Sequence, residues 1–354
     1  MLIFYLKEIF FNMKKKKIAF ILYQFGVLSG RSNGVRSQAL TTCNILNELG
    51  DECVLINAWE HYDWKSFDAI HIYGYDIAIH TFVKMLLKKN PNIYLSPIID
   101  STKSYSLYKW ATFNGFEKLR LYSNNYALRK ALGLVKGVCA RSTHEAKYYN
   151  LSFGVDSQKI FTIPLSYTIE APENIYEILK RKENFCFHLS SLYQERKNVI
   201  RLVEAAKKYG FKLVLAGSKG SENDFFKIQQ AIGTAKNITV LGYISDSELI
   251  DLYSKAKVFA LPSTNEGVGL VALDAALYGC NIVMTNIPGP KEYYPNINTV
   301  EIVNPNDVDD IGEKIIKLLK QDTNELIHNY MVNNFSKHNI YNILSKMYLS
   351  NIQN

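Results

Sequence analysis

Short apolar segments rich in β-branched and aromatic residues alternate with amphipathic segments along most of this sequence. The first apolar segment, KIAFILYQF, precedes SQALTTCNILNELG, which places Ala39, Cys43, Leu46 and Leu49 on one helical face and ends at Gly50. Parallel strands require long crossover connections, and those connections are usually helices. The alternation therefore predicts an α/β fold in which helices cover a parallel sheet.

The alternation occurs in two consecutive series, which predicts two domains. The first series ends with KIFTIPLSY, and the second begins with NFCFHLSSLY and continues through KLVLAGS, NITVLGYIS and CNIVMTNI. The chain has 354 residues, more than a single hydrophobic core usually supports. We expect two Rossmann-like domains with open parallel sheets facing an interdomain cleft, and ligands bound beyond the carboxyl ends of the strands.

The composition is that of a soluble globular protein, with 47% hydrophobic and 21% charged residues. Five scattered cysteines form no C-x-x-C pair, which argues against a disulfide framework or a zinc site and favours a reducing cytoplasm. The net charge of +8 is compatible with nucleic acid, an anionic membrane surface or phosphorylated substrates. No arginine-rich arm, zinc-finger spacing or aromatic RNA-binding motif accompanies this charge, so no nucleic acid is expected as a partner.

The N-terminal segment MLIFYLKEIFFNMKKKKIAF has its apolar run before its basic run, the reverse of a signal peptide. Charged residues interrupt any stretch of membrane-spanning length, so no transmembrane helix is expected. Two interpretations of residues 1–12 stay open: a short interfacial segment, or an extension that precedes a true start at Met13.

The segment PSTNEGVGLVALDAALYGC places two carboxylates around a glycine turn at the start of a predicted buried helix. Gly267 and Gly269 would let an anion such as a diphosphate approach the unpaired N–H groups of the helix N-terminus. Glu266 and Asp274 could then accept hydrogen bonds from hydroxyl groups of the same ligand. Glu266 as a helix cap and Asp274 as a solvated residue are the alternatives, but Asp274 lies in an otherwise apolar helix, where an unpaired charge is costly.

The segment from Leu241 to Glu292 resembles the donor-binding half of the retaining glycosyltransferase family 4, which uses nucleotide sugars and has the GT-B fold. The resemblance rests on Glu266, the Gly-x-Gly turn, an acid after seven intervening residues, and the flanking LYSKAKVFA and LPS. The second acid is Asp274 where the family usually has glutamate, one methylene longer. Fainter similarity extends over nearly the whole chain.

The resemblance assigns the parts of the chain. It implies an acceptor-side domain in residues 1–166, a donor-binding domain in residues 167–334, and a C-terminal helix in residues 335–354 that returns to the first domain. The donor-binding residues that it implies are Gly34, Gly242, Tyr243, Glu266, Gly267, Val268, Gly269, Leu270, Val271 and Asp274.

The segment SSLYQERKNVIRLVEAA is similar to the loop that grips the donor phosphates in that family. Ser191 stands where an arginine is common, which leaves Arg196 and Lys197 to neutralise the departing diphosphate. Without the resemblance, an Arg-Lys pair would be interpreted as part of a solvated basic loop. With it, Glu266, Arg196 and Lys197 are the expected catalytic residues of the second domain.

His71, at the end of the predicted strand DAIHIYGYD, resembles the family's histidine on the acceptor side and is the remaining expected catalytic residue. A histidine hydrogen-bonded to backbone is the alternative, and for Gly34 the alternative is a simple helix-entry turn. Ser142 and Glu145 have the spacing of a helix capping box.

The resemblance implies a retaining hexosyltransferase that moves a hexose from a nucleoside-diphosphate sugar to a glycan or lipid-linked glycan acceptor in bacterial surface polysaccharide assembly. A UDP-sugar is favoured over a GDP-sugar, and no cofactor or metal is expected. The expected location is cytoplasmic and peripheral at the inner face of the membrane. A dinucleotide oxidoreductase or a P-loop enzyme would need glycine spacings that this sequence lacks. A non-catalytic GT-B subunit that binds a partner is the alternative, because Ser191 and Tyr73 depart from the family pattern.

Overall fold

The computed structural model describes residues 15–23, 34–101, 103–119 and 121–349. These residues contain two six-stranded sheets, whose paired strands are parallel, and one short antiparallel hairpin. The predicted α/β fold with two open parallel sheets is confirmed. Residues 1–12 and most of the loop after the first strand lie outside the described residues, so the interpretations of both segments stay predictions.

In the described part of the first half, the first strand lies within the predicted segment KIAFILYQF. The strands of this half are β1 (Lys17–Leu22), β2 (Glu52–Leu55), β3 (Ala69–Tyr73), β4 (Ile93–Ser96), β5 (Gly115–Phe116), β6 (Leu121–Tyr122), β7 (Gly137–Ala140) and β8 (Ile160–Thr162). The hairpin is β5–β6, and the sheet order is β2-β1-β3-β4-β7-β8. Its helices are α1 (Gly34–Glu48), α2 (Ile79–Leu87), α3 (Tyr105–Phe113), α4 (Asn124–Leu132) and α5 (Thr143–Lys147).

The second half of the chain forms the other sheet. Its strands are β9 (Glu183–Leu189), β10 (Leu213–Ala216), β11 (Ile238–Gly242), β12 (Ala256–Leu261), β13 (Asn281–Thr285) and β14 (Val300–Val303). Its helices are α6 (Ile175–Lys180), α7 (Val199–Tyr209), α8 (Glu222–Ile232), α9 (Asp246–Lys255), α10 (Leu270–Leu277), α11 (Pro288–Lys291), α12 (Val308–Lys320) and α13 (Leu326–Phe335). The strand order is β11-β10-β9-β12-β13-β14, so the chain crosses from one side of β9 to the other between β11 and β12.

Helices cover both faces of the second sheet, which explains why the inner parts of its central strands are apolar. Along β12, Val258 and Ala260 belong to the hydrophobic cluster with α7 and α12, whereas Phe259 and Leu261 belong to the cluster with α10 and α13. Successive residues of a strand point to opposite faces, so a strand buried on both faces reads as a continuous hydrophobic run. No helix in the described part of the chain is both long and apolar enough to cross a membrane.

The last helix, α14 (Lys337–Leu349), packs against α1 of the first half. Its buried residues include Tyr341, Leu344, Met347 and Tyr348, which therefore face the protein. The Tyr348 hydroxyl lies 2.7 Å from Nδ1 of His71 in β3, a residue 277 positions earlier in the chain. This contact ties the chain terminus to the centre of the first sheet.

Replacing Tyr348 with phenylalanine should destabilise the protein by about 1–3 kcal/mol, because it leaves a buried ring nitrogen of His71 without its partner. Urea unfolding measures this difference. Tyr176→Phe is the matched control, because Tyr176 is 59% exposed and its loss of a hydroxyl should change stability by less than about 0.5 kcal/mol. Equal stability of the two variants would contradict a structural role for the Tyr348 hydroxyl.

Candidate functional site

The turn between β12 and α10 has the geometry of an anion-binding helix N-terminus. Gly269 precedes the helix with a φ of 79°, in the left-handed region that favours glycine, and no side chain caps the helix. A Cβ at Gly269 would lie 2.9 Å from Leu261 Cδ2, so the turn packs tightly against the end of β12. The prediction that the Gly-x-Gly turn opens a buried helix is confirmed by α10, whose residues from Ala272 to Leu277 are buried.

Lys197 and Glu266 form an ion pair between two neighbouring loops. Lys197 Nζ donates to Glu266 Oε2 at 2.5 Å, and the side chains are only 13% and 11% exposed. Lys197 follows β9 and Glu266 follows β12, which are adjacent strands of the sheet. Two predicted site residues that are 69 positions apart in the sequence are thus in direct contact.

Arg196 and Asn198 make further hydrogen bonds between the loop after β9 and the loop after β12. Thr264 N donates to the Arg196 carbonyl oxygen at 2.8 Å, and Asn198 Nδ2 donates to the carbonyl oxygens of Pro262 and Pro305. Asn198 has a φ of 61°, a left-handed conformation that asparagine tolerates better than most residues. The Arg196 side chain is exposed and reaches only the Asn265 carbonyl oxygen, at 3.4 Å.

His188, in β9, contributes to the contact between the loops that follow β9 and β12. His188 Nδ1 lies 2.8 Å from the Ala260 carbonyl oxygen of β12, and Nε2 lies 2.7 Å from Ser190 Oγ. Burial lowers the pKa of His188 to about 4, so the ring is neutral at pH 7. Because a carbonyl oxygen can only accept, Nδ1 carries the proton and Nε2 accepts from Ser190.

Gly242 and Tyr243 lie at the end of β11, on the same edge of the sheet. Gly217 N, after β10, donates to the Gly242 carbonyl oxygen at 2.7 Å, and the Tyr243 side chain is largely exposed. The strand order places β11, β10, β9 and β12 side by side, and neighbouring strands are about 4.8 Å apart. The predicted residues from Tyr243 to Glu266 therefore line an edge about 14 Å long, suited to an extended ligand.

The two halves of the protein meet at the same turn. A Cβ at Gly267 would lie 2.5 Å from Asp100 Oδ1 and 2.8 Å from Arg141 Nη1, so a side chain at this position would displace these charged groups. Asp100 follows β4, and Arg141 follows β7 of the first sheet. Asp100, Arg141, Glu266 and Gly267 line one cavity between the halves.

Glu145 holds Arg141 in place, which corrects the predicted capping box. Ser142 Oγ does accept from Glu145 N at 3.1 Å, but the Glu145 carboxylate accepts from Arg141 N and Nε, both at 2.8 Å, rather than from Ser142 N. Ile99 N donates to the other carboxylate oxygen at 2.7 Å. A buried carboxylate is held best by a fixed cation and several donors, and the guanidinium of Arg141 supplies both.

Glu292 of the second half caps helix α5 of the first half. Its carboxylate accepts from Thr143 N, Thr143 Oγ1 and His144 N at 2.7–2.8 Å. The next residue, Tyr293, donates from its hydroxyl to the Arg141 carbonyl oxygen at 2.7 Å. His144 therefore lies at the helix start, and the two halves are joined beside the cavity.

Asp274 lies in α10, where it binds the segment that joins the two halves. Thr168 N donates to Asp274 Oδ1 at 2.6 Å, and Thr168 Oγ1 donates to Oδ2 at 2.5 Å. Asp274 is 3% exposed, and burial raises its pKa to about 6 although the hydrogen bonds from Thr168 oppose the shift. It is not a solvated helix residue, and its expected ribose contact stays a prediction.

His71 and Gly34 lie in the first half, and the position expected for His71 is wrong in part. His71 is two residues before the end of β3, is 1% exposed, and has Tyr348 and Ser96 Oγ (2.8 Å) as partners of its two ring nitrogens. Burial lowers its pKa to about 3. It does line a cavity shared with Leu270 of α10, but an acceptor could bind the ring only if these hydrogen bonds changed. Gly34 is the first residue of α1, as predicted.

Several residues of the site carry no signal that the sequence reasoning used. Asp100 follows β4, a strand that the prediction did not identify, and Thr168 and Glu292 lie in segments without a periodic pattern. Arg141 precedes the S-x-x-E spacing that was interpreted as a capping box. A group of three or more His, Cys, Asp or Glu side chains able to hold a metal is not found within the described ranges.

Residues 172–337 match the family model described as Glycosyl transferases group 1. O-antigen chain mannosyltransferase B of Escherichia coli is 25% identical over 252 residues, which are 66% of this chain and 65% of that protein. Capsular polysaccharide biosynthesis glycosyltransferase CapM of Staphylococcus aureus is 32% identical over 149 residues, which are 40% of this chain and 39% of that protein. The alignments thus span less than two thirds of either relative.

Two solved structures share the architecture over nearly the whole chain. A glycosyltransferase from Rickettsia africae has a TM-score of 0.70 at 17% identity and covers 97% of this chain and 100% of its own. Anabaena HepE in complex with UDP has a TM-score of 0.70 at 14% identity and covers 94% of this chain and 100% of its own. The fold is GT-B, and the family model together with the relatives supports a glycosyltransferase.

The raised pKa of Asp274 predicts a specific pH dependence of stability. The folded protein retains a proton on Asp274 between about pH 4 and pH 6, whereas the unfolded chain releases it, so this group's contribution falls as pH rises through that range. The free energy of unfolding of Asp274→Asn minus that of the wild type should therefore rise by about 3 kcal/mol across the range. Urea unfolding at a series of pH values measures it.

Asn333→Ser, an exposed substitution that changes no titratable group, is the matched control and should give a nearly constant difference across the same range. If the curves of Asp274→Asn and wild type stay parallel from pH 4 to pH 6, the buried carboxylate does not titrate as argued.

Proposed function

We propose that this protein is a retaining hexosyltransferase that uses a nucleoside-diphosphate sugar and acts in the assembly of a bacterial surface polysaccharide. The observation that carries the proposal is the buried Lys197–Glu266 pair beside the Gly267–Gly269 turn, at the strand ends of a GT-B sheet. A lysine and the unpaired N–H groups of a helix start can together bind a diphosphate. The acid beside them can accept from sugar hydroxyl groups.

The relatives support the acceptor class, and one structural neighbour supports the donor class. The printed names of the two relatives refer to an O-antigen chain and to capsular polysaccharide biosynthesis, and HepE was solved with UDP. We therefore propose a glycan or lipid-linked glycan acceptor, and a UDP-sugar ahead of a GDP-sugar as donor. No cofactor or metal is part of the proposal, and the protein is proposed to work at the cytoplasmic face of the membrane.

The proposed roles follow from the positions of the residues. Lys197, with Arg196 at the rim, neutralises charge on the departing diphosphate, and Glu266 orients the sugar and releases Lys197 to the phosphate when the donor binds. Gly242 and Tyr243 contact the base, and the turn from Gly267 to Val271 contacts the diphosphate. Asp274 accepts from the ribose with lone pairs that Thr168 leaves unused, since a carboxylate has about four acceptor positions.

No carboxylate, Glu266 included, is proposed to attack the sugar. The acceptor and the leaving diphosphate are proposed to occupy the same face of the sugar, which gives retention, with stabilisation of the diphosphate supplying most of the rate. Gly34 and His71 belong to the acceptor side of this proposal.

A donor screen tests the proposed function. The purified protein is incubated with UDP- and GDP-hexoses, with and without extracted lipid-linked glycans, and release of the nucleoside diphosphate is measured. Acceptor-dependent release from at least one donor is expected. A non-catalytic GT-B subunit would bind a nucleotide or a partner protein without releasing any diphosphate from intact donor, and that result would overturn the proposal.

Lys197→Ala should lower kcat by about 10²–10³-fold while weakening donor binding less than about tenfold, because its charge is needed most when charge develops on the leaving diphosphate. Steady-state kinetics and donor titration by calorimetry separate the two effects. Lys207→Ala is the matched control, because Lys207 lies in α7 and donates to Ala231 O away from the turn. Equal losses in kcat and affinity for Lys197→Ala would contradict a role confined to the transition state.

Glu266→Gln should weaken binding of the intact donor and reduce discrimination between sugar epimers, yet leave binding of the bare nucleoside diphosphate nearly unchanged. The reason is that Glu266 is proposed to contact the sugar and not the nucleotide. Titrating the variant with nucleoside diphosphate and with donor checks this. Weaker binding of the bare nucleotide by more than about threefold would assign Glu266 to the phosphates or to the fold of the turn instead.

A further inference from the structure

An unusually apolar surface lies beside the cavity, on helix α3 and the β5–β6 hairpin. Six large apolar side chains of this segment are between 44% and 71% exposed, and we call them the 107–121 patch: Leu107, Trp110, Phe113, Phe116, Leu119 and Leu121. Singly exposed apolar residues are common on proteins, but six within fifteen consecutive positions are not explained by that tendency.

Helix α3 is apolar on two opposite sides. Its inner side packs on the protein: the Tyr105 and Tyr108 rings lie 4.7 Å and 5.4 Å from the Tyr148 ring. Leu107 and Trp110 are three positions apart and form the outer side, which faces solvent. Large apolar side chains on the outer side of a helix whose inner side is already packed indicate a second apolar environment there.

The hairpin presents its apolar residues in the same way. Phe116 and Leu121 are directly paired across β5–β6, and both are more than 60% exposed. The hairpin packs closely on α4, because a Cβ at Gly115 would lie 2.7 Å from the Tyr126 ring of that helix. An isolated two-stranded hairpin is marginally stable in water. A hairpin that packs on the protein and still exposes an apolar pair therefore also indicates that these two side chains contact another apolar surface.

The charge around the patch indicates the nature of that environment. Residues 103–121 contain four basic residues and one acidic residue, and the side chains of Lys103, Lys109 and Lys118 are exposed. Lysine is depleted in protein–protein interfaces, and two copies of the patch facing each other would bring like charges together. Tryptophan and phenylalanine flanked by lysine are instead typical of surfaces that enter the headgroup region of an anionic bilayer.

The patch begins at the rim of the proposed active site. Tyr105, the first residue of α3, has its hydroxyl 3.1 Å from His144 Nδ1, and His144 lines the same cavity as Glu266. A nine-residue helix is about 13 Å long, so the exposed side chains of α3 lie within roughly that distance of the cavity rim.

From these observations we infer that the 107–121 patch inserts into the headgroup region of an anionic bilayer and thereby holds the cavity next to a membrane-embedded acceptor. The inference does not depend on the basic run near the N-terminus, of which Lys16 is buried beside Asp51. It rests on the proposed function only for the identity of the acceptor. Membrane binding by the patch is a separate claim, and it can be measured without any donor.

Vesicle flotation of the full chain tests the inference. Wild type should float with phosphatidylcholine vesicles that contain phosphatidylglycerol and should bind at least about tenfold more weakly when Leu107→Gln and Trp110→Gln are combined. The double variant Lys109→Gln and Lys118→Gln should also bind more weakly, and its binding should depend less on salt. Phe226→Gln is the matched control, because Phe226 is a helical residue 56% exposed in the second half, and it should float like the wild type.

Three results would overturn the inference. The first is that the wild type does not float, and the second is that the Leu107→Gln, Trp110→Gln variant floats like the wild type. The third is that the wild type self-associates without floating and that this variant does not self-associate. Circular dichroism and the thermal midpoint check that the variants are folded. Nucleotide binding separates this inference from the proposed function, because the patch variant should retain wild-type nucleotide affinity. If the protein floats but turns over no donor, the proposed function is contradicted and membrane binding by the 107–121 patch is still supported.

Discussion

The junction between the ends of β9 and β12 is the constraint on which the candidate site depends. In the second sheet the chain runs outward from β9 through β10 to β11 and then returns to the other side of β9, so no crossover helix covers the crevice between β9 and β12 at the carboxyl edge. The loops that flank this crevice would otherwise be free to separate. The Lys197–Glu266 pair, the Asn198 amide and the His188 ring hold them together. The side chains at this edge of the sheet are therefore held in place by contacts between the two loops.

The first half of the protein completes the site from the opposite side. Arg141 is fixed by Glu145, and it approaches Gly267 so closely that a side chain there would clash. Glu292 and Tyr293 bind the backbone around Arg141 from the second half. A change in the separation of the halves must therefore break contacts next to the glycine turn. The conformation of the turn and the width of the cleft are thus coupled.

The sequence predicted the architecture well because hydrophobic alternation is a local signal. It also indicated the turn, because Glu266, Gly267 and Gly269 are consecutive or nearly so. It could not predict that Lys197 pairs with Glu266, since that contact follows from strand order, and strand order is not encoded in any single segment. The same reason explains the error at Glu145: the S-x-x-E spacing is local, whereas Arg141 and Ile99, its actual partners, are positioned by tertiary packing. The burial of His71 could not be predicted from its own segment, because the residue that contacts its ring, Tyr348, is 277 positions away in the sequence.

The two acids that the sequence motif groups together have different environments, and this difference constrains their roles. Glu266 faces Lys197 at the mouth of the cavity, where it can exchange partners when a ligand brings its own charge. Asp274 lies about two turns further along, on the side of α10 that meets the segment joining the two halves, and burial favours its protonated form. A ligand that used the lone pairs left free by Thr168 would share Asp274 with the segment that joins the two halves. Helix α10 thus connects the glycine turn to that segment.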